Sequence, residues 1–220
     1  IVTIRSRCRR VELATPSEAA IARLLVERDG VPGDMAQHAA RVAQGHIGRA
    51  RAIARNEDAR RRRAEILGIP AQLSTLGACL KAAASVVSAA SDEASATTAD
   101  LDVREKEALS QALGMGTKGA RPRHAQAALR ELEDQQKARA KRIQRDALDR
   151  VLTEFTGYYR DVFALQTAAS DRLLNADLID QLDAVARRTR PEQTIASLDA
   201  ILACRQALES NVGPQLAMES

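Results

Sequence analysis

The stretch LRELEDQQKARAKRIQRDALDRVLTEFTGYYRDV, residues 129–162, decides the fold. Within it Leu129, Leu132, Gln136, Ala140, Ile143, Ala147, Val151, Phe155, Tyr158 and Val162 recur every three or four residues. That spacing puts them on one stripe of an α-helix, whereas a strand would need alternation. A stripe this long predicts a helix packed along most of its length, with Gly157 as the place for a bend. Alanine, the strongest helix former, makes up about a fifth of the chain. The expectation is an all-α protein.

Working outward, the flanks carry helix punctuation. Asn175 is a candidate cap for a helix bearing Leu178, Leu182 and Val185. Thr189 with Glu192 forms a capping box before Ile195, Leu198, Ile201, Leu202 and Leu208. On the N-terminal side, Leu73, Leu76, Leu80, Ala83, Ala84 and Val87 mark a helix. Residues 88–100, rich in Ala, Ser and Thr, read as a weak helix or a loose connection, and a further helix is expected over 101–113. Residues 114–123 hold three glycines and a proline and read as a linker loop. Near the start, Thr15-Pro16-Ser17-Glu18 has the form of a capping box. Gly30 and Pro32 end the first helix, Asp34 with Gln37 opens a second that Gly45 ends, and a third is expected over 47–67. Gly68-Ile69-Pro70 then serves as the boundary between a small three-helix bundle and a larger helical domain.

Composition excludes several functions. No run approaches the eighteen apolar residues of a membrane span, and no basic-then-apolar signal segment opens the chain. Cys8, Cys79 and Cys204 never form a Cys-x-x-Cys pair, so neither a disulfide framework nor a zinc site is expected; a reducing cytoplasm fits. No metal or cofactor is expected. Phe155, Tyr158, Tyr159 and Phe163 are the only aromatic residues, which is poor material for base stacking. His38, His46 and His124 sit in unrelated segments and are read as solvated or capping residues. Asp146, Asp149 and Asp161 alternate with arginines and are read as structural ion pairs. Gly114-Met115-Gly116-Thr117-Lys118-Gly119 lacks the spacing of a phosphate loop, which needs four residues before its Gly-Lys pair. Two basic clusters remain, Arg49, Arg51, Arg55 and Arg60 to Arg63, and Lys137, Arg139, Lys141, Arg142 and Arg145. They are either solvated faces and subunit contacts or a surface for DNA phosphates.

A resemblance enters at Thr3-Ile4-Arg5-Ser6-Arg7-Cys8-Arg9. Ser6-Arg7-Cys8 resembles the Ser-Arg-Cys motif that clamp-loader ATPases carry at the end of a core strand, just before their helical lid. The Val/Ile/Thr run that begins at Ile1, with no initiator methionine, reads as the back part of a longer protein. Next come Gln44-Gly45-His46-Ile47-Gly48-Arg49-Ala50, Tyr158-Tyr159-Arg160-Asp161-Val162, Asn175-Ala176-Asp177, and Ala203-Cys204-Arg205-Gln206-Ala207-Leu208 with Asn211-Val212. In that order they resemble the delta-prime subunit family of the bacterial DNA polymerase III clamp loader, in its actinobacterial form.

The resemblance implies three parts: residues 1–10 as the end of an AAA+ core strand, 11–67 as the AAA+ lid, and 70–220 as the helical collar by which subunits assemble. It also implies site residues. Arg7, supported by Ser6 and Cys8, would be a finger reaching a neighbouring subunit's ATP, where a guanidinium stabilises the transferring phosphoryl group. Gly48 and Arg49 would mark the lid's sensor region. ATP-hydrolysing relatives place arginine where this chain has Gly48, and one step along a helix turns a side chain by about 100°. That departure favours the non-motor delta-prime subunit over the tau/gamma motor. Tyr158, Tyr159, Arg160 and Asp161 are candidates for the collar interface. The implied partners are tau/gamma and delta subunits, with the sliding clamp and primer-template DNA met indirectly. This chain alone would not be an enzyme, although the holoenzyme is a DNA-directed DNA polymerase, a nucleotidyltransferase. The rival expectations are a helical DNA-binding module and the C-terminal part of the tau/gamma motor.

Overall fold

A computed structural model describes residues 7–9, 11–12, 14–114 and 123–219. Among these residues the chain is helical, with no strand. Ser6, the strand expected over the first residues, and the glycine-rich loop after Gly114 lie outside the described residues. The chain divides into two compact units, Ile1–Glu65 and Ile66–Ser220.

The first unit contains α1 (Glu18–Glu27), α2 (Gly33–Ala43) and α3 (Ile47–Arg55). Ile21 and Leu25 of α1 meet Val31, Ala36, Ala39, Ala40, Val42, Ala43, Ala50 and Ile53 in its core. Most of these are alanines, so the helix axes approach closely and little volume remains between them. The caps differ from those expected. Ser17, not Thr15, caps α1, its Oγ accepting from the Ala20 N–H at 3.2 Å. α2 begins at Gly33 with no side-chain cap, so Asp34 lies in its first turn. Gln44 and Gly45 turn the chain through positive φ (49° and 90°). At φ 90° any other residue at Gly45 would be strained, and its Cβ, 2.2 Å from the Thr15 Cγ2, would have to displace that side chain.

The third helix expected over 47–67 is broken. Asn56 ends α3 with extended backbone, and its Oδ1 accepts from the N–H groups of Asp58 (2.8 Å) and Ala59 (3.2 Å) to start α4 (Glu57–Gln72). Asparagine competes with the helical backbone for these donors, and that competition makes it a cap. Arg60 completes the junction by donating to the Ile53 and Ala54 carbonyls at 2.9 and 3.3 Å. Conversely, Gly68-Ile69-Pro70 does not end a helix. α4 runs through it to Gln72, with Pro70 in the last turn, and the division between the units falls earlier, at Glu65/Ile66.

The second unit is organised along one helix. α5 (Leu76–Ala112) is capped by the Thr75 hydroxyl, which accepts from Ala78 N–H at 3.2 Å. It crosses residues 88–100 without a break, settling that stretch as helix: Ala90, Ala94 and Thr98 form its buried edge. α6 (Arg123–Gln166) has 44 residues, about 66 Å at 1.5 Å per residue, and continues as helix through Gly157. After two 3-10 turns (Ser170–Arg172 and Ala176–Leu178) come α7 (Ile179–Arg188), α8 (Pro191–Glu209) and α9 (Pro214–Glu219). α5, α7 and α8 all pack on α6, and α9 closes over α5 and α8.

Burial along α6 is uneven. From Ala147 onward the stripe is core. Ala147, Leu148, Val151, Leu152 and Phe155 meet Val86 and Ala90 of α5, Ile201, Cys204 and Leu208 of α8, and Ala217 of α9. Tyr158 and Val162 meet Leu67, Leu182 and Val185 in a second cluster. Before Ala147, Leu129, Leu132, Gln136, Ala140 and Ile143 are only half-buried. There α5 and α6 form an antiparallel arm joined by polar groups. Arg139 donates to Asp102 Oδ1 at 2.8 Å and to Glu105 Oε1 at 2.9 Å. Gln136 donates to the Asp102 carbonyl at 3.0 Å, and Lys106 pairs with Glu133 at 3.2 Å.

Candidate functional site

The motif Tyr158-Tyr159-Arg160-Asp161 sits on the last turns of α6, where the chain prepares to turn back. Asp161 is fully buried and accepts three N–H groups from the following loop: Leu174 N (3.1 Å), Asn175 N (2.8 Å) and Asn175 Nδ2 (2.8 Å). Arg160 lies against the same carboxylate at 3.2 Å and donates to the Arg172 carbonyl at 3.3 Å. A carboxylate is acceptor-only, so it can collect several backbone donors that would otherwise be buried without partners. Asp161 is therefore a loop anchor and not the helix-surface ion pair expected of it. Asn175 does not cap a helix with its side chain either; α7 begins at Ile179.

The motif divides into buried and accessible members. Tyr158 has no exposed surface, and its hydroxyl has no hydrogen-bond partner among the described residues. Burial pushes its pKa up, with Tyr159 adding to the shift. Tyr158 and Asp161, expected at a subunit interface, lie inside their own unit where a neighbouring chain would meet neither. Tyr159 is half-buried, its ring edge-on to Tyr158 with centroids 5.7 Å apart. Burial, and then the nearby Cys79 thiol, push its hydroxyl pKa up against the opposing influence of Arg188 and Ser197. α5 and α8 therefore both approach Tyr159. These two helices also carry apolar side chains that the sequence reading did not single out as surface residues. Leu76 and Leu80 of α5 are 76% and 41% exposed, and Ile195 and Leu202 of α8 are 44% and 52% exposed. Large exposed apolar side chains on packed helices are the material of subunit contacts.

The turn into α7 and α8 is also set by side chains. Gln166 donates to the Thr189 carbonyl and hydroxyl, both at 3.0 Å, closing the end of α7. Thr189 is thereby occupied. The α8 cap is Arg190, whose N–H donates to Gln193 Oε1 at 2.9 Å, one residue beyond the box expected from Thr189 and Glu192.

The remaining candidates lie in the first unit. Arg7 and Cys8 are exposed. His46 caps α3, its Nδ1 accepting from the Arg49 N–H at 3.1 Å, which is the second of the two roles, solvated or capping, read for the histidines. Gly48 and Arg49 are thus the second and third residues of α3. Asp29 accepts both Arg51 Nε (2.6 Å) and Nη2 (3.1 Å), tying the chain beyond α1 to α3. The hydrogen bonds from Arg51 hold the Asp29 carboxyl below its ordinary range, against the effect of burial.

Much of both basic clusters is engaged internally. Arg51 serves Asp29, Arg60 serves backbone carbonyls, Arg61 pairs with Asp58, Lys137 pairs with Asp134 at 3.7 Å, and Arg139 serves Asp102 and Glu105. Asp149 pairs with Arg205 of α8 at 3.1 Å, across helices and not along one. Among the described residues no group of three His, Cys, Asp or Glu side chains could hold a metal ion, and no helix is long and apolar enough to cross a membrane.

Residues 128–220 match the family model described as DNA polymerase III, delta subunit, C terminal. The match begins on α6 and covers every element after it; the core residues that α4 and α5 contribute to the second unit, Leu67, Val86 and Ala90, precede it. It supports kinship with the clamp-loader family for this part of the chain. No curated protein and no solved structure matches the chain.

Proposed function

We propose that the chain is the lid-and-collar part of a non-motor clamp-loader subunit of bacterial DNA polymerase III, of the delta-prime type. Its second unit packs on neighbouring tau/gamma and delta subunits in a cytoplasmic hetero-oligomer, and the assembly places the sliding clamp on primed DNA. The single observation that supports the clamp-loader part of this reading is the match of residues 128–220 to the model described as DNA polymerase III, delta subunit, C terminal. The exposed Leu76, Leu80, Ile195 and Leu202 supply apolar surface for such packing. The delta-prime assignment rests on the ordered motifs and on Gly48 standing where motor subunits carry arginine.

In this reading the chain has no hydrolytic chemistry of its own. Arg7 acts in trans on a neighbour's nucleotide, and the guanidinium offsets charge on the γ-phosphoryl group. The reading is preferred to a DNA-binding module because so many cluster cations have partners within their own unit. Co-expression with tau/gamma and delta subunits, followed by size-exclusion chromatography, tests it. Stoichiometric co-elution is expected, and failure to associate with either subunit refutes the collar assignment. Arg7→Ala in the full-length protein should lower clamp-stimulated ATP turnover by the assembled loader without preventing assembly. Tight, steeply salt-dependent DNA binding by the chain alone would favour the rival.

A further inference from the structure

We draw no further inference here: the strongest candidate, the exposed apolar patch of Leu76 and Leu80 on the first turns of α5, belongs to the subunit-packing surface already proposed, and nothing in the structure shows what covers it.

Discussion

Replacing Asp161 by alanine should cost the second unit about 3 kcal/mol. The carboxylate accepts Asn175 N and Nδ2, both at 2.8 Å, within a residue only 1% exposed. Stranding two buried donors costs about 1–3 kcal/mol each, reduced because alanine no longer requires burial of a charge, a cost of several kcal/mol per ion that pairing only partly offsets. At about 2–4 °C per kcal/mol for a unit of this size, the melting temperature should fall by about 6–12 °C. Local amide exchange gives a sharper signal, because Leu174 and Asn175 N–H lose their acceptor while the α5–α8 core keeps its contacts. Exchange at those two amides should rise well before global unfolding. Asp161→Asn keeps the volume and one acceptor oxygen, so its loss should be intermediate. A melting temperature lowered by less than about 2 °C, with both amides still protected, would refute the anchor role.

The other predictions address separate elements. Tyr158→Phe removes a buried hydroxyl that has no partner among the described residues, so urea unfolding should find the variant equal to the parent or more stable, by up to about 1 kcal/mol. Asn56→Ala should destabilise the first unit by about 1 kcal/mol through loss of the α4 cap, seen as a lower midpoint with unchanged m-value. The hydrogen bonds of Arg139 and Gln136 depress the Glu105 pKa below its ordinary 4.5. Glu105 therefore contributes stability that is fully present above pH 4.5 and is lost as pH falls through the depressed folded-state value. Glu105→Gln should flatten that part of the acid unfolding profile; an unchanged profile would remove the arm's ion network from the account.

The long helix was legible because its period extends over 129–162 and many residues repeat one spacing. Burial along it was legible only in part, since the sequence of α6 does not reveal that α5 offers Asp102 and Glu105, not leucines, opposite Arg139. The continuity of α5 through 88–100 was ambiguous because alanine and small hydroxyl residues can serve either a closely packed helix edge or a solvated linker. Asn56 was missed because its neighbours Arg55 and Glu57 continue a helical pattern, and a cap shows only in which donors its side chain takes. The Asp161 anchor was hidden differently: its partners lie 13 and 14 residues away across a turn, and local charge alternation suggested a surface pair. Of the motif Tyr158-Tyr159-Arg160-Asp161, Tyr158 and Asp161 are fully buried within the second unit and hold the fold, which the sequence order of the motif does not show.

The antiparallel arm has a property that its attractive contacts alone do not convey. Lys106 faces Glu133, but the residues one helical turn away on either side of Glu133 are Arg130 and Lys137. A slide of α6 along α5 by one turn in either direction would bring cation against cation at that position and pull Arg139 from its two carboxylates. On the α5 side the buried edge here is made by the small Ala94 and Thr98, which present little relief for α6 to interlock with. Charge order therefore helps to keep the two helices from ratcheting, and high salt, which screens the penalty, should loosen the arm before it loosens the core.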